Sequence, residues 1–574
     1  MAAAEVDEAV PAGGAGGAGG ADEIKPYKIH VSSKYLELTK QKLEVTRLPH
    51  ELSEPKSKDW WEPKSQVEPL IDFWLEQYSW RAQEDRLNTE IPQFRTGFSI
   101  PSSEALVRIH FIHARSSHSN AIPLLLIPPF PFSNLSFGHI VKQFTEPEDA
   151  ENNQPFHLVI PALPGLGFSD ALPNNSPVIS STAEIFNSLM SRLSYPHYLI
   201  TNASSGVASP AEIDFKLANH LATYFPDSCL GAHLISPPLA RPKLRGAPVE
   251  WAKWSVASLF HAPILGYRKE DFSALKRNGF ARSPKRGPAP PQFGLNQLGF
   301  REPNTLAYAL CDSPTGLLVF VLKILRLLDP KKEFIPTEVI DLTQLSWLPG
   351  PESAMRFWAH CSRYPEAEKK VNSRPKIGVT VFLGDESSTN GGAEGEATEL
   401  MQDEAKDYYM CPGWANAKYN VIHINRESGR PGLLAWDRPE IIATGVRGVA
   451  ASILRSDSRL RPVAPSAPTP ASASAAAPLE QVAVRQDTTG EQPVSPPAQH
   501  APALLAPPGD GERSHPHREV SDETAVGSNE NKTGKTPSPT PQVPNPAHLA
   551  PPADERGHPR REASDDTAVE QPAN

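Results

Sequence analysis

The chain has 574 residues, too many for one compact domain, and 62 of them are proline, about twice the ordinary usage. Its net charge of −10 is small for this length and does not suggest a nucleic-acid-binding protein, which would favour a basic face. The cysteines, Cys229, Cys311, Cys361 and Cys411, fit no zinc pattern, and four scattered thiols in a chain of this size favour a reducing compartment over disulfides. We therefore expect a cytoplasmic protein without a metal or other cofactor.

The first 115 residues divide into a leader and an N-terminal region, in which Ile24–Glu90 is predicted to be helical. Residues 1–23 are rich in Gly and Ala and carry acids, without the basic start and apolar stretch of a signal peptide, so we predict a flexible leader. Within residues 24–115, apolar residues recur at near-helical spacing between Ser65 and Trp80, after the pair Trp60 and Trp61. The segment Leu106–Ile112 then alternates as a strand does.

Residues 116–239 show the pattern of a parallel sheet. Pro123–Ile127 and His157–Pro161 are short apolar runs of the kind that buried parallel strands have. A helix is predicted at Ala183–Leu193, and further strands at Tyr198–Thr201 and Gly231–Ser236. This alternation predicts an α/β fold with a mostly parallel sheet, of which these residues form the first half.

The alternation of strands and helices stops at Pro237. Residues 240–360 contain many prolines and helical stretches without clear strands, which predicts a helical lid inserted into the sheet domain. The longest apolar run, Leu317–Leu328, is interrupted by Lys323 and Arg326 and is too short to cross a bilayer. We therefore predict no transmembrane segment.

The second half of the core and a tail complete the chain. Strands are predicted at Lys376–Leu383 and Tyr419–Ile424 and a helix at about Pro439–Leu454, all within residues 361–455. Residues 456–574 contain no Phe, Trp or Tyr and cannot offset the entropy cost of ordering, so we predict a disordered Pro/Ala-rich tail. The tail holds a two-copy repeat, which is either a duplication without function or a motif for a protein partner.

Four segments resemble the microsomal-type epoxide hydrolases and follow one another in the order found in that family. They are Trp80–Asn88 with Pro92–Phe94, the strand Ile109–His113, the turn Pro161–Ser169, and the helix Thr305–Leu317. The resemblance covers roughly residues 24–455 and implies an α/β-hydrolase fold with an N-terminal helical segment packed over the lid. It also implies opening of an epoxide by an aspartate that forms an ester, a histidine that activates water, and two lid tyrosines that hold the epoxide oxygen.

The residues at these catalytic positions differ from the family pattern. The nucleophile's turn falls on Asn202–Gly206, which places Ser204 where the family has Asp, and the family's histidine falls on Gly432 without a gap in the surrounding match. The lid tyrosines fall near Leu295, where Phe293 is the nearest aromatic residue, and on Trp358. None of these residues can perform the corresponding step.

Two further parts of the family's site are also altered or unplaced. The oxyanion segment falls on Pro128–Phe132, where three prolines lack the backbone N–H groups that would stabilise an anion. Asp385 follows a predicted strand, where α/β-hydrolases often carry the charge-relay acid. His423 corresponds to a strand position in the family, and we predict a structural role for it.

Three functions remain open on this sequence. The first is a non-hydrolytic epoxide hydrolase-like pseudoenzyme that binds or processes an apolar small molecule. Its binding residues would be Phe130, Phe132, Ser205 and Trp358. The alternative within this hypothesis is a degenerate protein that has no function. The second is a serine hydrolase that uses Ser204, for which the histidines nearby in sequence are His197, His220, His233 and His423. The third is an active epoxide hydrolase or cyclase of secondary metabolism with replacement residues.

For the third function, Asp170 and Asp214 are the nearest spare carboxylates, and we expect both to be surface or helix residues. A homodimer is also left open.

Overall fold

The computed structural model describes residues 23–51, 64–101, 105–173, 176–206, 209–277, 302–329, 332–367, 374–384 and 409–461. Nearly all of the predicted tail, including its repeat, nearly all of the leader, and the residues Trp60, Trp61, Phe293, Leu295 and Asp385 lie outside these ranges. The division of the chain into six segments therefore stays a prediction.

The described residues between 23 and 98 form three helices and two strands. A short strand β1 (Lys25–Pro26) is followed by α1 (Ser33–Glu44), α2 (Lys64–Glu76), α3 (Trp80–Glu90) and β2 (Gln93–Phe98). The helices agree with the predicted helical region. The strand β2 was not predicted, because its sequence QFRTGF lacks both a continuous apolar run and regular alternation.

A sheet of nine strands runs through the described residues. Its remaining strands are β3 (Val107–Ala114), β4 (Ile122–Ile127), β5 (Phe156–Pro161), β6 (Tyr198–Asn202), β7 (Cys229–Ile235), β8 (Lys376–Phe382) and β9 (Asn420–Glu427). The order is β1-β2-β3-β5-β4-β6-β7-β8-β9. The six strands β5-β4-β6-β7-β8-β9 are parallel to one another. β1, β2 and β3 extend the β5 edge, and each pair from β1 to β5 in this order is antiparallel. The predicted mostly parallel sheet is confirmed.

Helices cover both faces of this sheet. They are α4 (Val141–Thr145), α5 (Val178–Arg192), α6 (Ile213–Tyr224), α13 (Leu434–Asp437) and α14 (Pro439–Ser456), with a 3-10 turn at Asn134–Ile140. Alternate residues of β4 point to opposite faces, as the pleat requires, so Leu125 belongs to one apolar core and Leu124 and Leu126 belong to the other. This double burial explains why the strand reads as one continuous apolar run.

A set of helices lies between β7 and β8 in the chain, as predicted for the lid. It comprises α7 (Pro248–Phe260), α8 (Lys269–Arg277), α9 (Pro303–Asp312), α10 (Pro314–Leu328), α11 (Pro336–Trp347) and α12 (Glu352–Arg363). The N-terminal helices contact it: Tyr78 Oη donates a hydrogen bond of 2.7 Å to Asp341, and Trp347 Nε1 donates one of 2.9 Å to Thr39.

No single helix of the described residues has both the length and the apolar character needed to cross a membrane. The pair Pro303–Asp312 and Pro314–Arg326 would meet those requirements only together, and its two members are bent by 117°.

Candidate active site

The candidate site lies at the carboxyl ends of the central strands β4 and β6. Ile127 and Asn202 are parallel partners at the ends of these strands, and Ala203 N–H donates to Ile127 O at 3.2 Å. Because β4 has β5 on one side and β6 on the other, the chain reverses its direction of winding here, which is where α/β sheets usually bind ligands. The segments predicted to carry the site, Pro128–Phe132 and Asn202–Gly206, therefore lie next to each other.

The turn after β6 is held by the side chain of Asn202, which is fully buried. Asn202 Nδ2 donates to Ser204 O at 2.6 Å, and Asn202 Oδ1 accepts from the N–H of Ile235 on β7 at 3.0 Å. None of the residues Asn202–Gly206 has a positive φ, whereas a nucleophile elbow is a sharp and strained turn. The next helix, α6, begins only at Ile213. The turn therefore places Ser204 at a strand end without the geometry of an elbow.

Asp214 supplies the carboxyl group of the site, which the sequence reasoning did not expect. It was expected to be a surface or helix residue; it lies in the first turn of α6, as a helix residue, but it has no exposed surface. Ser204 Oγ donates a hydrogen bond to Asp214 Oδ2, and Ser209 Oγ donates to Oδ1 at 2.7 Å. A signal for this placement was the order of polar residues Ser204, Ser209 and Asp214 after a buried strand, but their distances in the chain match no known motif.

The electrostatics of Asp214 result from two opposing effects. Burial raises the pKa of the carboxyl group to about 6, while the hydrogen bonds from Ser204, Ser209 and the backbone N–H of Phe130 act to lower it. A carboxyl group with this pKa changes its protonation state near neutral pH. Such a group is suited to exchange a proton with Ser204.

Both backbone N–H groups of the segment Pro128–Phe132 donate hydrogen bonds to other groups of the protein. Its prolines have none; Phe130 N–H donates to Asp214 Oδ1 at 3.2 Å, and Phe132 N–H donates to Pro129 O at 3.0 Å. The peptide bond between Phe130 and Pro131 is cis. The carboxyl group of Asp214 thus occupies the donor that would stabilise an oxyanion in an α/β-hydrolase.

Gly432 lies in the loop between β9 and α13 in a left-handed conformation, with φ +54°. A Cβ atom there would come within 2.9 Å of Asp329 Oδ2. The left-handed backbone therefore disfavours a side chain at the position where the resemblance expects the histidine, and the Asp329 carboxylate would have to shift to admit one.

The histidines that were considered as bases for Ser204 lie elsewhere. His233 is fully buried in the sheet, where its ring nitrogens contact the hydroxyls of Thr201 at 3.0 Å and Thr380 at 2.8 Å. His423 on β9 fits against Gly448 of α14, which confirms the predicted structural role. His197 hydrogen-bonds Asp227 O at 2.9 Å, and the ring of His220 packs against Tyr224.

The other spare carboxylate has a structural role. Asp170 pairs with Arg95 at 2.7 Å and with Arg108 at 2.9 Å, and it also accepts the backbone N–H of Arg108. These contacts attach the loop after β5 to the antiparallel edge of the sheet. Asp170 was expected to be a surface or helix residue, and its side chain is 27% exposed in a loop.

An apolar cavity of about 40 Å³ lies between the lid and the loops after β4 and β5. Three of the predicted binding residues, Phe130, Phe132 and Trp358, line it together with residues of α10, α11 and α12. The rings of Phe130 and Trp358 meet edge to face at 5.8 Å. Ser205, the fourth, is buried and its Oγ has no hydrogen-bond partner, but neither it nor Ser204 lines the cavity. A binding role for these four residues stays a prediction.

The fold and the arrangement of its strands and lid are those of an α/β-hydrolase. The family model "Epoxide hydrolase N terminus" matches residues 24–137. A protein of Stigmatella aurantiaca with the name "Putative epoxide hydrolase" is 28% identical over 74% of this chain and 84% of its own length. Epoxide hydrolase 1 of Oryctolagus cuniculus is 25% identical over 53% of this chain and 62% of its own.

The structural comparison agrees with this. The crystal structure of juvenile hormone epoxide hydrolase from the silkworm Bombyx mori has the same fold, with a TM-score of 0.57 and 21% identity over 76% of this chain and 95% of that one. The chain is therefore similar in sequence to epoxide hydrolases and has the α/β-hydrolase fold, as its sequence motifs predicted.

Proposed function

We propose that the chain is an epoxide hydrolase-like protein that binds an apolar small molecule between its lid and its sheet and does not perform the two-step hydrolysis of its family. The observation that carries this proposal is Gly432, since a glycine has no side chain that could activate the water that hydrolyses an ester intermediate. Ser204 likewise cannot form the ester that an aspartate forms with an epoxide.

The apolar cavity supports the binding part of this proposal. Its volume of about 40 Å³ is far below the roughly 300 Å³ that small-molecule pockets commonly have, so a ligand must displace the lid from the contact between Phe130 and Trp358. Apolar side chains from α10 and α12 would then surround the ligand. The proposed ligand is accordingly an apolar metabolite with few polar groups.

The test uses the purified full chain with styrene oxide and a fatty acid epoxide. We expect the wild type to form diol no faster than the Asp214→Asn variant does. We also expect the melting temperature to rise with increasing epoxide concentration, because a ligand stabilises the state that it binds. Ala354→Leu fills the cavity from α12 and abolishes this rise, whereas Ala451→Leu, on the exposed side of α14, does not. Diol formation that depends on Asp214 would contradict the proposal that the chain does not hydrolyse epoxides.

A second candidate, a hydrolase that uses Ser204, is favoured by the hydrogen bond from Ser204 to Asp214. In this mechanism Ser204 Oγ adds to an ester carbonyl while its proton passes to Asp214, and the proton then leaves with the alcohol, so that the acyl group stays on Ser204. Water then attacks this acyl group while Asp214 takes a proton from the water and returns it to Ser204 Oγ, which releases the carboxylic acid. Labelling of the wild type by a fluorophosphonate, lost in Ser204→Ala and reduced in Asp214→Asn, would support this candidate. Absence of labelling in the wild type would exclude it.

A further inference from the structure

The outer face of α7 is apolar although it is exposed. Val249, Val256, Leu259 and Phe260 are 64%, 43%, 74% and 68% exposed. The opposite face is anchored by Trp254, which is 3% exposed and whose ring meets that of Trp414 at 5.3 Å. α7 also carries Glu250, Lys253, Ser255 and Ser258, but a surface helix normally turns its large apolar residues toward the core, so these four exposed apolar side chains lack the contact that their composition calls for.

The apolar surface continues into the loop after α7. Ile264 and Leu265 are 39% and 52% exposed, and Leu265 has a left-handed backbone with φ +58°. A Cβ atom at the next residue, Gly266, would meet nothing within 4 Å, so this side of the loop faces open space. We refer to Val249, Val256, Leu259, Phe260, Ile264 and Leu265 together as the α7 ridge.

The concentration of apolar groups here is specific to this surface. Of the 15 exposed large apolar side chains in the described part of the chain, 8 lie between Leu244 and Leu265. Single exposed apolar residues are ordinary, but a contiguous exposed set marks a surface that contacts a partner or a membrane.

Cations flank the α7 ridge on both sides. Arg241, Lys243 and Arg245 precede it and Arg268 and Lys269 follow it, and all five are exposed. The acids between residues 240 and 270 are only Glu250, which pairs with Lys253 at 2.8 Å, and Glu270. In a chain with a net charge of −10, this is a local excess of positive charge beside an apolar ridge.

We propose that the α7 ridge inserts into the surface of an anionic lipid bilayer. Apolar and aromatic side chains on one face of a helix, with Lys and Arg beside them, are the features by which helices bind in the interfacial plane of membranes. A second copy of the chain fits less well, because a two-fold contact through the ridge would place these cations against their own counterparts.

Sedimentation of the full chain with vesicles tests this proposal. We expect binding to phosphatidylcholine vesicles that contain phosphatidylserine, weaker binding to phosphatidylcholine alone, and a decrease in high salt. Leu259→Asp/Phe260→Asp lowers the binding at least about tenfold, since two apolar side chains no longer enter the lipid. The matched control is Val45→Asp, a residue that is 79% exposed on the N-terminal region and that leaves the binding unchanged.

The cations are tested separately in Arg241→Gln/Lys243→Gln/Arg245→Gln. This variant weakens binding to the anionic vesicles by about fivefold per cation, from about 1 kcal/mol for each basic residue near the surface, and leaves binding to phosphatidylcholine alone unchanged. Three results would overturn the proposal: no binding of the wild type, equal binding of Leu259→Asp/Phe260→Asp, or a dimer in sedimentation velocity that the same variant abolishes without any binding to vesicles.

Discussion

At the scale of single residues, Asp214 defines the chemistry that the site retains. Its carboxyl group has no contact with solvent and accepts hydrogen bonds from two serine side chains and one backbone N–H. Phe130 N–H and Ser204 Oγ, the two groups that would face a substrate in an active relative of this fold, both point to this carboxyl group. The carboxyl group of Asp214 therefore occupies the hydrogen-bonding groups that a substrate would otherwise contact.

Asp214→Asn changes how stability depends on pH. The pKa of Asp214 rises from 3.8 to about 6 on folding, so the protonated form stabilises the folded state below about pH 4, and this contribution is lost as the pH rises through 6. Asparagine does not ionise, so between pH 4 and 7 the free energy of unfolding of the variant increases relative to the wild type. The increase is about 3 kcal/mol, at about 1.4 kcal/mol per tenfold change in proton affinity.

Urea unfolding of both proteins across this pH range measures the effect. Because asparagine keeps the size of the side chain, any lost hydrogen bond adds a constant difference at every pH. A difference between the two proteins that does not vary with pH would contradict the assigned burial of the carboxyl group.

At the scale of elements, α14 packs against the sheet through two glycines. Gly445 lies over the ring of His233 and Gly448 over the ring of His423, and a Cβ atom at Gly445 would come within 2.0 Å of His233 Nε2. Burial lowers the pKa of His233 to about 3, so its ring is neutral at ordinary pH. These histidines thus fill space between the helix and the sheet, which explains why they are unavailable to Ser204.

Gly445→Ala is expected to destabilise the protein by about 1–3 kcal/mol, the usual range for overpacking. This is opposite in sign to the gain of up to about 1 kcal/mol that alanine has over glycine in a helix. Adding His233→Ala removes the ring that the methyl group meets, so the double variant is more stable than the sum of the two single effects predicts. Guanidinium unfolding of the four proteins gives this coupling, and additive effects would show that the helix does not press on His233.

At the scale of the whole molecule, the lid is joined to the sheet by a buried ion pair. Asp271 of α8 is fully buried and accepts two hydrogen bonds from Arg426 of β9, at 2.7 and 2.9 Å, and a third from Tyr409 Oη. Asp271 and Arg426 are 155 positions apart in the chain. The pair fixes the first part of the lid to the last strand of the sheet.

Arg426→Leu is expected to cost about 3–5 kcal/mol, because it leaves the Asp271 carboxylate buried and without its charged partner. Asp271→Leu/Arg426→Leu is less destabilised than this single variant, since no unpaired charge remains. Equilibrium unfolding measures both, with Lys332→Leu as a control that breaks the more exposed pair between Lys332 and Asp437 at 2.6 Å and costs less than about 1 kcal/mol. Equal losses in Arg426→Leu and Lys332→Leu would contradict the argument.

The sequence by itself determined the parallel strands and the similarity to epoxide hydrolases. Strands such as Ile122–Ile127 are apolar on both faces, and this leaves a continuous local pattern that can be read without knowledge of the fold. The serine at position 204 and the glycine at position 432 were also evident, because the surrounding motifs fix their positions in the chain. Helix α6 was not predicted, and neither was the pairing of the strand Gln93–Phe98 with the edge of the sheet. Both depend on partners that are distant in sequence.

Only the tertiary structure decided what surrounds Ser204. A hydrogen bond from Ser204 to Asp214 requires α6 to begin with its first turn beneath the loop after β4, and no spacing in the sequence encodes that approach. The histidines were visible in the sequence, but their burial under the glycines of α14 was not. The sequence gives the type of each residue directly. The burial that sets the pKa of a carboxyl group, and the space that a ring occupies, arise only when elements distant in sequence pack together.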